Sequence, residues 1–337
     1  ALWAFGRVVM NEYPMLDLQL IDTGPEDTRD STALRHALSR PDDEREVILR
    51  GASRQALRLH QATAKQVPAE EGEYFELRFD LPGQLRNLAW RRIEPRQLSG
   101  HEVEVAVKAV GLNFRDVMYA LGLLGDDIIE DGFSGPTMGL EFAGIVTRTG
   151  PKVEGLHVGE EVLGFGPQCF ASHVVTHEGA VRPKPAGWSF NEAATVPTVF
   201  FTAYYALIEL ARLQPGERVL IHGAAGGVGI AAIAIAQQVG AEIFATAGTP
   251  EKRNFLEMMG VGNIHDSRST NFADEILAKT NGEGVDVVLN SLAGEAINRN
   301  LRALKPFGRF LELGKRDFVE NTHVGLRPFK NLSLIHI

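Results

Sequence analysis

A glycine-rich run, RVLIHGAAGGVG at residues 218–229, contains the residues best suited to chemistry in this chain. An apolar strand, VLI, leads into the turn, and a helix of small residues, IAAIAIAQQVGA, follows it. A strand, turn and helix of this kind binds a dinucleotide pyrophosphate, since the helix N-terminus offers free N–H groups to the anion. We expect Gly226 to let the backbone approach the phosphates and Gly229 to let the helix pack on the strand. The spacing matches G-x-G-x-x-G with Ala224 in the first place, and an ordinary glycine-rich turn is the alternative.

The end of the second predicted strand, IFATA, determines which dinucleotide fits. An NAD enzyme usually places Asp or Glu there, on the ribose hydroxyls. This chain reads TAGTPEKR at residues 246–253, and a hydroxyl, Thr249, with two cations, Lys252 and Arg253, suits a 2′-phosphate. The sequence therefore favours NADPH, although Glu251 opposes it. The alternative is that both cations form the solvated first turn of the next helix.

Two later predicted strands end where the same ligand is expected. Open α/β sheets bind ligands outside the carboxyl ends of their strands. The strand in VDVVLNS and the strand in RFLELG both end in this way. We therefore predict that the cofactor contacts the glycine turn and these strand ends, at Ala225, Gly226, Gly227, Val228, Gly229, Asn290, Ser291, Leu313 and Gly314.

The composition indicates a soluble globular chain. Its 337 residues suffice for about two domains, and 44% of them are hydrophobic against 23% charged. A net charge of -9 leaves no basic surface for a nucleic acid, so we expect no nucleic-acid partner. The single cysteine, Cys169, excludes a disulfide framework and favours a reducing, cytoplasmic compartment. We see no uninterrupted apolar run long enough to span a bilayer and no signal peptide, and we expect no membrane partner.

Four segments of different pattern follow one another along the chain. Residues 1–62 mix short helical and strand patterns, and residues 63–74 have the polar composition of a linker. Residues 75–195 contain β-rich runs between glycine and proline turns, which is typical of a partly open antiparallel barrel. Residues 196–337 alternate strands and helices, and six predicted strands, the last of them LSLIHI, make a doubly wound parallel sheet in an α/β fold. The chain lacks an initiator methionine and stops inside an apolar run, so we expect it to be part of a larger polypeptide.

Five motifs occur in an order that indicates a family. They are NFRD at residues 113–116, GPTMGLEFAGIV, EAATVPTVFFTAYYALIELARLQPGERVLIHGAAGGVG, TPEKR and GRFLELGKRD. Together they resemble the enoylreductase domain of type I modular polyketide synthases and related fatty acid synthases, in the medium-chain dehydrogenase/reductase superfamily. The resemblance implies a GroES-like substrate-binding barrel over residues 75–195 and a Rossmann NADPH-binding domain over residues 196–337. Residues 1–62 are similar to the end of a ketoreductase structural subdomain.

The resemblance implies an activity and partners. The activity is NADPH-dependent reduction of the α,β double bond of a trans-2-enoyl thioester, held by phosphopantetheine on an acyl carrier protein. Hydride reaches the β-carbon, and the enolate then takes a proton at the α-carbon. The implied partners are that acyl carrier protein, a neighbouring ketoreductase domain in the same polypeptide and, at the edge of the Rossmann sheet, a second copy in a homodimer.

Candidate catalytic residues also follow from the resemblance. The family has a lysine considered as proton donor at the position of Lys315, where an ammonium can stabilise the enolate or protonate it. A surface lysine paired with Asp317 is the alternative. We expect Asn113 at the end of a barrel strand, facing the nicotinamide, or else capping the helix FRDVMYAL. Thr202 lies in the helix before the Rossmann core, whose start faces the cofactor in the family.

One position departs from the family pattern. A tyrosine often proposed as a second proton donor follows the NFRD segment in the family, whereas this chain has Leu124 there. In the family that tyrosine is associated with the face on which an α-methyl-bearing enolate is protonated. Its absence suggests protonation on the opposite face or an unbranched substrate. Tyr119 lies five residues earlier, and we interpret it as a packing residue.

The known zinc ligands of this architecture are missing from the sequence. Alcohol dehydrogenases need a cysteine near the position of Asn113 and a histidine-glutamate pair in the G-x-E segment, and structural zinc needs four clustered cysteines. Here the segment reads Gly139-Leu140-Glu141, and Cys169 is the sole cysteine. We therefore predict no metal site.

Three other functions are compatible with the same residues. A zinc-independent NADPH quinone oxidoreductase shares the fold and the glycine turn. A catalytically silent structural domain would keep the fold without the reaction. An enzyme that closes a ring on the enolate would keep the hydride step and change the next one.

Overall fold

The computed structural model describes residues 2–13, 15–24, 32–39, 44–51, 53–56, 58, 72–125, 135–325 and 329. The chain divides into two compact units, residues 1–69 and residues 70–337.

The first unit is a small three-stranded sheet with two helices. Its elements are α1 (Leu2–Glu12), β1 (Leu20–Thr23), α2 (Thr32–Ser39), β2 (Glu46–Arg50) and β3 (Ser53–Ala56). β1 and β2 pair in parallel, and β2 and β3 pair antiparallel. The core is centred on Ala37, Val47 and Leu49, which is little apolar burial for a unit that would fold alone. The polar strand SRQA was not predicted, because it lacks the apolar alternation that marks a strand.

The second unit begins with an antiparallel β-domain. Its elements are β4 (Tyr74–Arg78), β5 (Ala89–Ile93), β6 (Glu102–Val110), α3 (Phe114–Ala120), β7 (Glu141–Thr149), β8 (Glu161–Phe165), β9 (His173–His177) and β10 (Val181–Pro183). Five strands pair in the order β10, β8, β7, β6, β9, and β4 pairs with β5. Alternate apolar side chains, among them Val103, Val105 and Phe142, are buried between the strands, and their removal from water stabilises the domain.

A parallel sheet with helices on both faces forms the rest of the second unit. Its elements are β11 (Arg218–Ile221), α4 (Gly227–Val239), β12 (Glu242–Ala247), α5 (Pro250–Met258), β13 (Asn263–Asp266), α6 (Phe272–Lys279), β14 (Val285–Asn290), α7 (Glu295–Ala303), β15 (Leu304–Glu312) and α8 (Arg316–Val319). The strands lie in the order β13, β12, β11, β14, β15, and every pair is parallel. The chain reverses its direction of travel across the sheet between β11 and β14, which is where sheets of this kind bind ligands.

A helical stretch, Phe190–Leu210, connects the β-domain to the parallel sheet. It consists of a turn of α-helix at Phe190–Ala194, a helix at Pro197–Tyr204 and a π-helical turn at Tyr205–Leu210. By length and composition this stretch could cross a membrane, although polar residues interrupt it and it is not an uninterrupted apolar run. One such helix is weak evidence for a membrane span, and this one packs on β7, β8 and α4.

The predicted α/β class, with an antiparallel barrel-like domain before a doubly wound sheet, is confirmed. Five of the six predicted strands of the parallel sheet are present, and the sixth, at residues 332–337, lies outside the described residues. Residues 63–71 of the predicted linker also lie outside them, and β4 already begins at Tyr74.

Candidate active site

The glycine turn after β11 is held in one shape by its own backbone. Gly223 has a φ of 58°, in the left-handed region that favours glycine. Its carbonyl accepts from the N–H of Gly226 at 2.8 Å, and the N–H of Ala224 donates to the carbonyl of Thr246 at 3.0 Å. A Cβ on Gly229 would lie 2.5 Å from the Cα of Ala224, so glycine is what lets α4 start this close to the turn.

The first turn of α4 has the features of an anion site. The N–H groups of Gly227, Val228 and Gly229 precede the first intrahelical bonds, and they have no acceptor in the described part of the chain. Gly226 and Gly227 are exposed, and Ala225 is half-buried beside them. N–H groups without an acceptor at the positive end of a 13-residue helix suit a pyrophosphate. The residues present therefore fit a dinucleotide.

Polar groups also surround the end of β12. Thr249 caps α5, and its Oγ1 accepts from the N–H of Lys252 at 3.3 Å. The side chain of Lys252 is exposed and has no acidic partner among the described residues. Arg253 donates to the carbonyl of Ala247 at 3.1 Å and pairs with Asp266 at 3.5 Å. Both cations lie in the first turn of α5, and Lys252 is the one with an uncompensated charge.

A third cation at this end was missed by the sequence analysis. Arg268 follows β13, and its Nε lies 3.3 Å from the position that a Cβ on Gly248 would take. Its side chain is exposed, while its backbone N–H donates to Asp266 at 2.9 Å. The pairing of β13 with β12, with Asp266 opposite Ala247, brings Arg268 here. No motif around Arg268 signals that neighbour, so only the strand pairing could have identified it.

The end of β14 differs from the expectation that Asn290 faces the cofactor. The Asn290 side chain is fully buried, and its Nδ2 donates to Glu312 at 2.6 Å and to the carbonyl of Leu292 at 2.7 Å. An amide with these partners has no free edge for a nicotinamide. Ser291 is exposed, and its Oγ lies 3.2 Å from where a Cβ on Gly223 would be, so it faces the glycine turn.

The end of β15 contains a carboxylate that the sequence analysis did not select. Glu312 accepts from Asn290 through Oε2 and from the N–H of Gly314 through Oε1, each at 2.6 Å. Burial raises the pKa of Glu312 above its ordinary value, against the opposing effect of those two donors. The N–H of Leu313 donates to the carbonyl of Asn290 at 2.9 Å. The N–H groups of Leu313 and Gly314 are thus used within the protein, which leaves their carbonyls for a cofactor.

Lys315 lies immediately after this turn and is exposed. The carboxylate of Asp317 accepts from the N–H of Gly294 at 3.1 Å through both oxygens, and no ion pair joins it to Lys315. Across the described ranges, the ammonium of Lys315 has neither an acidic partner nor a hydrogen-bond acceptor. Lys315 is therefore not paired with Asp317, contrary to the alternative interpretation.

Asn113 begins α3 at the junction of the two domains of the second unit. Its Nδ2 donates to Glu141 at 2.8 Å, and the other oxygen of Glu141 accepts from the N–H of Thr198 at 2.8 Å. Glu141 is buried, so these bonds hold strand β7, helix α3 and the Pro197–Tyr204 helix together. Asn113 is also the N-cap of α3, and its side chain takes part in a capping box with Asp116.

Asp116 is the other half of the capping box that begins α3. Its fully buried carboxylate accepts from the N–H of Asn113 at 3.1 Å and from the N–H of Gly139 at 2.8 Å. Burial raises the pKa of Asp116, while these two donors act in the opposite direction. Tyr119 packs between Phe79 and the Arg115 guanidinium. These contacts give Asp116 and Tyr119 structural roles.

The helix Pro197–Tyr204 presents two threonines at this junction. The Oγ1 of Thr198 is buried and has no hydrogen-bond partner among the described residues. Thr202 lies one turn further along and is half-buried. A buried hydroxyl without a partner costs free energy, so Thr198 is a better candidate for a ligand contact than the sequence alone indicated.

No group of three or more His, Cys, Asp or Glu side chains that could hold a metal ion occurs in the described part of the chain. Cys169 is fully buried, and burial raises the pKa of its thiol.

Two family models match the chain in the order of its domains. A model described as an alcohol dehydrogenase GroES-like domain matches residues 99–204, and one described as a zinc-binding dehydrogenase matches residues 227–337. This combination defines an oxidoreductase of the medium-chain dehydrogenase/reductase superfamily, whose members bind a nicotinamide cofactor.

Individual relatives indicate which branch of this superfamily the chain resembles. The chain is 41% identical over 343 residues to a component of the phenolphthiocerol/phthiocerol polyketide synthase of Mycobacterium tuberculosis, which covers 96% of this chain and 15% of that protein. It is 44% identical to the crystal structure of the CurK enoyl reductase, with a TM-score of 0.70 over 77% of this chain and 78% of that one. The CurF cyclopropanase from curacin A biosynthesis is 39% identical, with a TM-score of 0.67 over 77% of this chain and 78% of that one.

The chain belongs to the enoylreductase domains of polyketide synthases. It spans about 15% of the length of the mycobacterial synthase protein that it matches, and such relatives are large multidomain proteins.

Proposed function

We propose that this domain reduces the α,β double bond of a trans-2-enoyl thioester with NADPH, on the phosphopantetheine of an acyl carrier protein. The observation that carries the proposal is one shared edge of the parallel sheet. The open N–H groups of α4 follow β11 there, and the unpaired ammonium of Lys315 follows β15. The N–H groups of α4 would hold the pyrophosphate of the cofactor, and Lys315 lies at the same edge of the sheet.

NADPH is proposed over NADH because cations surround the end of β12. The exposed side chains of Lys252 and Arg268 lie there with the Thr249 cap, and no acidic side chain takes the usual NAD position at the end of the strand. Charge-assisted hydrogen bonds from such cations suit a 2′-phosphate.

The residues then divide the reaction between them. Bound NADPH would supply hydride to the β-carbon of the enoyl chain. The ammonium of Lys315 would stabilise the developing enolate oxygen or deliver its proton to the α-carbon. Asn113, at the junction of the two domains, would contact cofactor or substrate through its amide. Leu112 and Phe114, exposed to 72% and 77%, offer an apolar surface beside Asn113 for the acyl chain.

The setting is proposed from the same relatives. Residues 1–62 are proposed to belong to a ketoreductase structural subdomain, residues 63–74 to a linker, residues 75–195 to the substrate-binding domain and residues 196–337 to the NADPH domain. The acyl carrier protein, the ketoreductase and a second copy of the domain are the proposed partners, in the cytoplasm.

The test measures NADPH consumption during reduction of a crotonyl thioester. The same assay is run with a quinone as the substrate and with NADH as the cofactor. The proposal expects oxidation of NADPH with the thioester, and loss of most of that activity in Lys315→Ala with unchanged NADPH binding. Lys279→Ala, an exposed lysine at the end of α6, is the matched control. Reduction of quinone alone would replace the proposal with a quinone reductase, and a cyclised product would replace it with ring closure. Failure to bind NADPH would indicate a silent domain.

A further inference from the structure

A line of hydrogen bonds runs beneath the carboxyl edge of the parallel sheet. It begins on β12, where the Oγ1 of Thr246 lies 2.8 Å from Nδ1 of His222. His222 follows β11, and its Nε2 lies 2.6 Å from Oδ1 of Asn300 on α7. The Nδ2 of Asn300 donates to Oδ1 of Asn290 at 2.8 Å, and Asn290 donates to Glu312 at the end of β15. Five side chains thus connect four neighbouring strands.

Four of these side chains are among the most buried polar groups in the described part of the molecule, and Glu312 is half-buried. Thr246, Asn290 and Asn300 are completely inaccessible, and His222 is 4% exposed. Polar groups in such a place cost free energy unless every one of them is paired. Apolar residues of similar volume would fill the same space, so stability alone does not require this set.

All the hydrogen bonds of this line have the same donor-to-acceptor direction. Asn300 donates to Asn290 through Nδ2, so its Oδ1 must accept from the Nε2–H of His222. The remaining ring nitrogen, Nδ1, then accepts from the hydroxyl of Thr246. A neutral His222 with one ring proton meets this requirement, and burial lowers the pKa of His222 to about 4. Every donor therefore points toward the Glu312 carboxylate, where the last bond is charge-assisted.

The same line fixes the two loops that follow β14 and β15. Asn290 accepts from the N–H of Leu292 at 3.1 Å and donates to its carbonyl at 2.7 Å. The carbonyl of Asn290 accepts from Leu313, and Glu312 accepts from Gly314. Ser291 and Lys315 lie on these two loops.

We propose that His222, Asn300 and Asn290 are positioning residues, which act through Glu312 to hold the loops at residues 291–293 and 313–315 where the reaction needs them. The inference rests on the proposed reduction, because those loops carry Lys315 and border the expected nicotinamide. The residues touch neither cofactor nor substrate; they determine where Lys315 is.

The first test is Asn300→Leu, which removes the central link with little change of volume. We expect kcat for crotonyl thioester reduction to fall about 30-fold, since small misplacements of a reacting group cost this much, while KM for NADPH stays within about threefold. Thr280→Val is the matched control, because it also removes a buried hydrogen-bonding group and so shows what a loss of stability alone does to kcat. The Oγ1 of Thr280 is buried and bonded to Ile276 and Gly284, in the turn that precedes β14 at the opposite edge of the sheet. Its kcat should not change.

A double-mutant cycle tests whether the effect passes through Glu312. Glu312→Gln has one oxygen for two donors, so one loop loses its bond. If Asn300 acts through Glu312, adding Asn300→Leu to Glu312→Gln lowers kcat by less than about twofold more. Full multiplication of the two losses would overturn the inference, and so would an unchanged kcat in Asn300→Leu.

A readout independent of activity separates this inference from the proposed function. Hydrogen exchange of the peptides that contain residues 291–293 and 313–315 should quicken about tenfold in Asn300→Leu and not in Thr280→Val. If the wild-type protein reduces no enoyl thioester, the proposed function fails and the exchange comparison still decides whether the line holds the loops. Should Asn300→Leu not fold, Thr246→Val replaces it, since Thr246 and Thr280 are buried threonines that undergo the same change. Equal rates of hydrogen exchange of these loop peptides in Thr246→Val and Thr280→Val would overturn the inference.

Discussion

The carboxyl edge of the parallel sheet, where the cofactor is expected, has different kinds of polar groups at its two ends. At the end of β12 the polar groups are exposed and cationic, with Lys252 and Arg268 in solvent beside the Thr249 cap. At the ends of β14 and β15 they are buried and mostly neutral, and Asn290 and Glu312 are bonded to each other.

The difference matches the role proposed for each end. Recognition of a 2′-phosphate needs charge more than exact placement, and exposed cations supply charge at small cost. Hydride transfer and protonation need placement, and buried hydrogen bonds supply rigidity. Substitutions at the first end should therefore change cofactor affinity, and substitutions at the second should change kcat or stability.

The glycine turn follows β11, which lies between β12 and β14, and its loss should have the largest effect. In Gly229→Ala the added Cβ meets the backbone of Ala224, and we expect about 3 kcal/mol of destabilisation and NADPH affinity about 100-fold weaker. Urea unfolding and a fluorescence titration measure these. Gly262→Ala is the control, because no atom lies within 4 Å of its added Cβ. Equal effects in the two variants would contradict the packing account.

The stability of the buried hydrogen bonds that link His222 to the ends of β14 and β15 should depend on pH. Burial lowers the pKa of His222 from 6.5 to about 4, so the unfolded chain takes up this proton at a higher pH than the folded one. The contribution of His222 is neutral above pH 6.5 and becomes destabilising as the pH falls, by about 2 kcal/mol at pH 5. Unfolding of the wild type and of His222→Gln over this range should give a steeper loss in the wild type. Parallel curves would show that His222 does not titrate in this way.

The exposed end should respond through affinity alone. Arg268→Ala should raise Kd for NADPH about tenfold and leave Kd for NADH unchanged, because a single charge-assisted contact to the 2′-phosphate is lost. Adding salt should weaken NADPH binding to the wild type more than to the variant. A lower kcat with unchanged Kd would break the division between the two ends.

The smallest expected effect is a gain. Asp266 pairs with Arg253 and accepts from the N–H of Arg268, so its charge opposes a phosphate at this end. Asp266→Asn keeps an oxygen for that N–H and removes the charge. NADPH binding should tighten about threefold, with no change for NADH. Unaltered NADPH affinity would place the 2′-phosphate elsewhere.

The sequence predicted the local parts of this site well. A strand, a glycine turn and a small-residue helix are encoded within residues 218–239, and the turn at residues 223–229 has the expected shape. The positions of Lys252 and Lys315 after their strands also followed from local pattern. Their roles toward cofactor and substrate stay predictions until tested.

Arg268, Glu312 and His222 could not be selected in the same way. Each owes its place to a partner far along the chain: Arg268 to β12, Glu312 to Asn290, and His222 to Asn300. Asn290 was selected for the wrong reason, because its strand end was predicted correctly while its burial was not.

By itself the sequence determined the fold class, the dinucleotide turn and the family, since those depend on residue types at short, fixed spacings. Tertiary structure decided which polar side chains face the ligand and which face one another. The physical reason is that a hydrogen bond is satisfied by whichever group lies within about 3 Å. Here, parallel strand pairing and the position of Asn300 on α7 bring residues 222, 246, 290, 300 and 312 into such contacts although they are far apart in the chain.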